Sequence, residues 1–155
     1  MQYWLMKSEP DTYSIDDLQA SAGQIDHWDG VRNYQARNMM RDQMKIGDLA
    51  FFYHSNVKEP GIMGIMEIVR EGYPDHTALN PDSRYYDPRS TRENPRWYMV
   101  DVRYIRHLRH PIGLAELKQH STLENMPLLR RGNRLSIMPV TKAEWQYILE
   151  LEKIT

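Results

Sequence analysis

A chain of 155 residues, 41% hydrophobic and 26% charged, has the make-up of a single folded domain, which argues against disorder over most of its length. It contains no cysteine, which excludes disulfide frameworks, thiolate zinc sites and thiol nucleophiles together. The net charge of −1 excludes a uniformly basic or acidic molecule, yet it conceals a division: residues 1–30 carry one lysine against six acids, whereas residues 84–134 carry eleven cations against five acids.

Fourteen of the 20 cations are arginines, the type suited to planar, bidentate contacts with phosphates and bases and to stacking on rings. The alternative meaning of the basic half is a solvated surface paired with nearby acids. The opening Met1-Gln2-Tyr3-Trp4-Leu5-Met6-Lys7 lacks the pattern of a signal peptide, and no segment reaches 18 apolar residues. The expectation is a cytoplasmic location with no membrane contact.

In chain order, Tyr3 to Lys7 reads as a first strand. Ser14 caps a short helix with Asp16 and Asp17 in its first turn. Asp29-Gly30 marks a turn, and Asn33 caps a helix to about Met44, with Ala36, Met39, Met40 and Met44 at helical spacing. Gly47-Asp48 ends that unit. Leu49 to His54 is an aromatic strand, residues 55–60 a loop, and Gly61 to Val69 the next strand.

Residues 71–95 read as one long polar connection, punctuated by Gly72, Pro74, Pro81, Pro88 and Pro95. Trp97 to Leu108 alternates as a long strand, followed by a helix over Ile112 to Gln119 and a helical turn opened by Ser121 and Glu124. Arg134 to Val140 is the last strand, and the capping box Thr141/Glu144 opens a helix through Leu151. Strands outnumber helices without regular interleaving, which predicts an α+β domain around a small mixed β-barrel flanked by short helices.

No Gly-rich phosphate loop, GxSxG or HExxH motif occurs. His107 and His110 would face opposite sides of their strand, so no metal or other cofactor is expected. What remains is the aromatic and amide content of residues 28–38 and 51–56. Ring faces hold bases by stacking, at roughly 1–3 kcal/mol per base. The amides of Asn33 and Asn56 can read a base edge, and an aromatic wall favours an added methyl group. At least half of the Phe51-Phe52-Tyr53 run should nevertheless be core. Trp28, before the Asp29-Gly30 turn, is expected to be partly exposed.

Several strings together resemble the EVE domain family. They include Trp4-Leu5-Met6-Lys7-Ser8-Glu9-Pro10, residues 28–38, Phe51-Phe52-Tyr53-His54-Ser55-Asn56, Tyr85-Tyr86-Asp87-Pro88, Pro95-Arg96-Trp97 and Arg134-Leu135-Ser136. They fall in the family's order over almost the whole chain. The resemblance implies a PUA-like barrel, in the superfamily that holds YTH readers of methylated adenine, and a modified base in DNA or RNA as the ligand. Carried over position by position, it implies a pocket lined by Lys7, Ser8, Glu9, Trp28, Asn33, Tyr34, Arg37, Tyr53, His54, Ser55, Asn56 and Ser136. Trp28 would stack on the base, Asn33, Ser55 and Asn56 would read its edge, and Lys7 and Arg37 would favour a phosphate or carbonyl oxygen.

Binding without catalysis, by a monomer, is the main expectation. One alternative is an ASCH-like hydrolase that removes an acyl group from a modified nucleoside, with Lys7 as base beside Glu9. An ordinary Lys7–Glu9 ion pair is the preferred reading of those two residues. A second alternative is a protein-interaction module.

Overall fold

Three consecutive residues, Trp4, Leu5 and Met6, are fully buried, so the strand that carries them is covered on both faces. This strand, β1 (Tyr3–Ser8), pairs in parallel with β3 (Leu49–His54), from Tyr3 opposite Leu49 to Ser8 opposite His54. In the computed structural model, which describes residues 1–154, the pair lies inside one six-stranded sheet. The remaining strands are β2 (Ile25–Trp28), β4 (Gly61–Pro74), β5 (Tyr98–Gly113) and β6 (Ile137–Val140), in the order β2-β5-β4-β3-β1-β6. Every pairing other than β1–β3 is antiparallel.

Alternation along these strands sorts their side chains into two cores. Trp4, Met6, Phe52, Met66, Ile68, Val100 and Val102 form one, with α1 (Ile15–Ala20) and α2 (Tyr34–Asp42) packed against it. Leu5, Phe51, Tyr53, Ile65 and Met138 form the other, covered by α3 (Leu114–Leu117) and α4 (Lys142–Lys153). Each such side chain contributes about 1.5–3 kcal/mol by leaving water. Trp28 of β2 and Ile137 of β6 come from opposite ends of the strand order yet join the first core, so the sheet curls around it as an α+β barrel. No described helix is long and apolar enough to cross a membrane.

Three of the four expected caps form, whereas Ser121 lies inside a short helical turn (Ser121–Leu123) that has no side-chain cap bond. Ser14 and Thr141 each close a capping box, and Asn33 Oδ1 accepts from Ala36 N at 3.0 Å. Gly30 takes the left-handed conformation its turn requires, with φ 78°.

Three expectations need correction. Residues 25–28, not assigned from sequence, form β2, because their partners lie on β5 more than 70 positions away, with Trp28 opposite Val100. The polar connection is shorter than expected, since β4 continues to Pro74. The helix expected over residues 112–119 shrinks to Leu114–Leu117, because β5 runs on to Gly113.

Candidate functional site

The carboxyl ends of β1 and β3 stop side by side, and the loops leaving them are tied together. Ser55 N donates to Ser8 O at 3.0 Å, and Lys7 N donates to Ser136 O at 2.8 Å. Ser8 Oγ donates to Tyr13 O at 2.6 Å, fixing the path from β1 to α1. Asn56 sits at φ 58°, a conformation that asparagine tolerates, and its Nδ2 donates to Glu9 Oε1 at 2.8 Å. Eight of the twelve expected residues (Lys7, Ser8, Glu9, Tyr53, His54, Ser55, Asn56 and Ser136) therefore gather at this end of the sheet. A register shift between Phe52 and Tyr53 interrupts the β3–β4 ladder there, the kind of irregularity that re-aims side chains beside functional sites.

Lys7 stands apart electrostatically. Its ammonium lies 5.9 Å from the centre of the Tyr53 ring and has no carboxylate partner among the described residues. Glu9 engages Asn56 instead, so the ion pair preferred from sequence is not formed. Glu9 lies beyond the end of β1, where strand alternation no longer holds it on the face of Lys7. Half-burial pushes the Lys7 ammonium below its usual range, because desolvation disfavours the charged form. The same cause pushes the Tyr53 hydroxyl up to about 12, so it remains a proton donor.

His54 faces the other way. Its Nε2 accepts from Ile15 N at 3.1 Å, and its ring meets Phe52 edge-to-face at 5.5 Å. Phe52 in turn meets Trp28 edge-to-face, at 5.2 Å and 77°. These three rings line the face toward α1 and α2, whereas Lys7 and Tyr53 lie on the opposite face. Trp28 is 7% exposed rather than open to solvent, because the segment after β4 folds over its turn. There Asp75 Oδ2 accepts from Gly30 N at 2.9 Å, and the Tyr85 ring occupies the space that a Cβ at Gly30 would need.

Asn33, Tyr34 and Arg37, at the start of α2, form a separate group. Asn33 is exposed and spends its carbonyl oxygen on the helix cap, which leaves its amide donors available. Tyr34 is 46% exposed and stacks on Trp97 at 4.7 Å and 23°. The Arg37 guanidinium covers the Tyr34 ring at 4.7 Å, and its Nη1 donates to Arg96 O at 2.9 Å.

Residues absent from the expected pocket hold this group in place. Arg32 lies over both the Tyr85 and Trp97 rings and pairs with buried Asp75 at 3.1 Å. Burial alone would raise the Asp75 carboxyl, but donors from Thr77, Gly30 and Arg32 outweigh it and hold the group below its usual range. Trp97 Nε1 donates to Asp87 Oδ2 at 2.7 Å, and that bond, with donors from Arg89, holds Asp87 down at about 2. The sequence signal for these residues is the resemblance of residues 28–38, Tyr73-Pro74-Asp75, Tyr85-Tyr86-Asp87-Pro88 and Pro95-Arg96-Trp97; their spacing alone says nothing. Among the described residues, no three His, Asp or Glu side chains are arranged to hold a metal ion.

Comparison with known proteins places this architecture. The family model of the EVE domain matches residues 2–151. Human thymocyte nuclear protein 1 is 49% identical, over 97% of this chain and 74% of that protein. A crystal structure of a Pseudomonas syringae protein superposes with a TM-score of 0.92 at 53% identity, over 97% of this chain and 99% of that one. The crystal structure of human thymocyte nuclear protein 1 in complex with DNA containing 5-methylcytosine superposes at 0.95, with 48% identity over 100% and 99% of the two chains. An ASCH protein of Zymomonas mobilis, 11% identical at a TM-score of 0.56, shares the fold alone. With its family model matched from residue 2 to residue 151, the chain belongs to the EVE domain family.

Proposed function

We propose that this protein binds nucleic acid by receiving a modified base at the carboxyl ends of β1 and β3, with 5-methylcytosine in DNA as the leading ligand. The observation that carries this reading is the half-buried Lys7 ammonium, without a carboxylate partner among the described residues, at a strand end rimmed by hydroxyl and amide groups. A buried cation is costly unless an anion or carbonyl oxygen meets it. A pyrimidine carbonyl or a phosphate oxygen supplies that partner. Ser55 and Asn56, in the loop that leaves β3 beside Lys7, offer donors and acceptors to the edge of the base. The human relative bound to 5-methylcytosine DNA supports the same ligand class. RNA carrying a modified pyrimidine is the second ligand to test.

Fluorescence anisotropy with matched duplexes containing 5-methylcytosine or cytosine, and with the corresponding RNAs, tests this directly. The methylated DNA should bind more tightly, and Lys7→Met should weaken that binding tenfold or more while leaving the melting temperature close to wild type. Equal affinity for methylated and unmethylated DNA would refute the reading.

A hydrolase reading draws on the same lysine, since a lowered pKa suits a general base. Acetate release from N4-acetylcytidine, abolished in Lys7→Ala, would favour it over binding alone.

A further inference from the structure

Outside the strand-end site, the structure builds a continuous column of three cations and three rings. Arg84 lies over Tyr85 at 5.2 Å, and Arg32 lies between Tyr85 and Trp97 at 5.6 and 5.3 Å. Trp97 stacks on Tyr34 at 4.7 Å, and Arg37 covers Tyr34 at 4.7 Å. Its middle is neutralised and anchored, because Arg32 is paired with Asp75 and Trp97 is held by Asp87. Its two ends are not neutralised: neither Arg84 nor Arg37 has a carboxylate partner among the described residues.

The ends are also held in position. Arg84 Nη1 donates to Thr12 Oγ1 at 3.3 Å, which brings that end to the loop between β1 and α1, at the rim of the strand-end site. Arg37 is oriented by Arg96 O at 2.9 Å and by Asn38 Oδ1 at 2.8 Å. Guanidinium groups fixed by ring stacking and by hydrogen-bond acceptors lose little further freedom when they meet an anion. Tyr34, nearly half exposed, keeps the column at the surface, where an extended polyanion can reach it.

We infer that this column is a phosphate track. Arg84 and Arg37 hold two phosphates of the strand that carries the received base, so that Tyr34 and Arg37 serve the flanking backbone and not the base itself. The inference rests on the proposed function and deepens it, by separating positioning contacts from those that discriminate one base from another. Each phosphate neutralised by a cation releases counterions, so the slope of log affinity against log salt changes by about 0.9 per contact.

The test is anisotropy with 5-methylcytosine and cytosine duplexes across a salt series, for the wild type, Arg37→Gln, Arg84→Gln, the double variant and Arg37→Lys. The double variant should weaken binding of both duplexes equally and flatten the salt slope by about 2, with each single variant flattening it by about 1. Arg37→Lys keeps the charge and should restore most of the slope. A double variant with an unchanged slope overturns the inference while leaving the strand-end reading intact. So does an Arg37→Gln effect confined to the methylated duplex, which would return Arg37 to the base pocket. A wild type that binds neither duplex overturns both.

Discussion

His54 accepts the Ile15 N–H through Nε2, a role open only to the unprotonated nitrogen. Burial lowers its pKa, with His107 adding to the effect and Asp16 and Asp17 opposing it. The folded state therefore disfavours the proton relative to the unfolded chain, where histidine titrates near about 6.5. The stability this contributes is complete above that value and is lost as pH falls from there through the lower folded pKa. Thermal melts between pH 8 and pH 5 should show a decline in the wild type that is shallower in His54→Gln, whose amide oxygen accepts at every pH. Equal declines would show that the Ile15 contact contributes nothing to the pH dependence. The family resemblance made His54 a candidate ligand contact. Its partner, 39 positions away in sequence, depends on where α1 docks.

At the scale of elements, α1 rests on the sheet where β4 has no side chain. A Cβ at Gly64 would collide with Ile15 Cδ1 and would lie 2.5 Å from Arg106 O. Gly64→Ala should cost about 1–3 kcal/mol through overpacking. At about 2–4 °C per kcal/mol for a domain of this size, the expected drop in melting temperature is several degrees. An unchanged melting temperature would show that α1 shifts freely, contrary to its tie to His54.

Elements defined by local chemistry were legible in the sequence. Leu49–His54 reads as a strand from its aromatic run, and Ser14, Asn33 and Thr141 announce helix starts because their side chains satisfy the first free amides. β2 was not legible. Ile25-Asp26-His27-Trp28 has no run of β-favouring residues, and only pairing with β5 makes it a strand. The split of Phe52 from Tyr53 onto opposite faces follows from alternation. Which face meets Trp28 does not.

For the whole molecule, a net charge of −1 gives no attraction to DNA at long range, so binding must come from locally unpaired cations. Lys7, Arg37 and Arg84 are such cations among the described residues. Affinity of the wild type for methylated duplex should therefore fall linearly in log–log form as salt rises, despite the near-neutral total. A flat titration would contradict a phosphate-based footprint.

Composition, caps and alternation, read from the sequence alone, determined an α+β domain, most of its strands, and the residue types available for a base. These follow from interactions among neighbours in the chain. Only the tertiary structure decided that Trp28 is covered, that Glu9 leaves Lys7 unpaired, and that six side chains from the β2–α2 connection, α2 and the segment after β4 stack into one column. Each of those outcomes depends on which distant segments the curled sheet brings into contact, and no spacing along the chain encodes that directly.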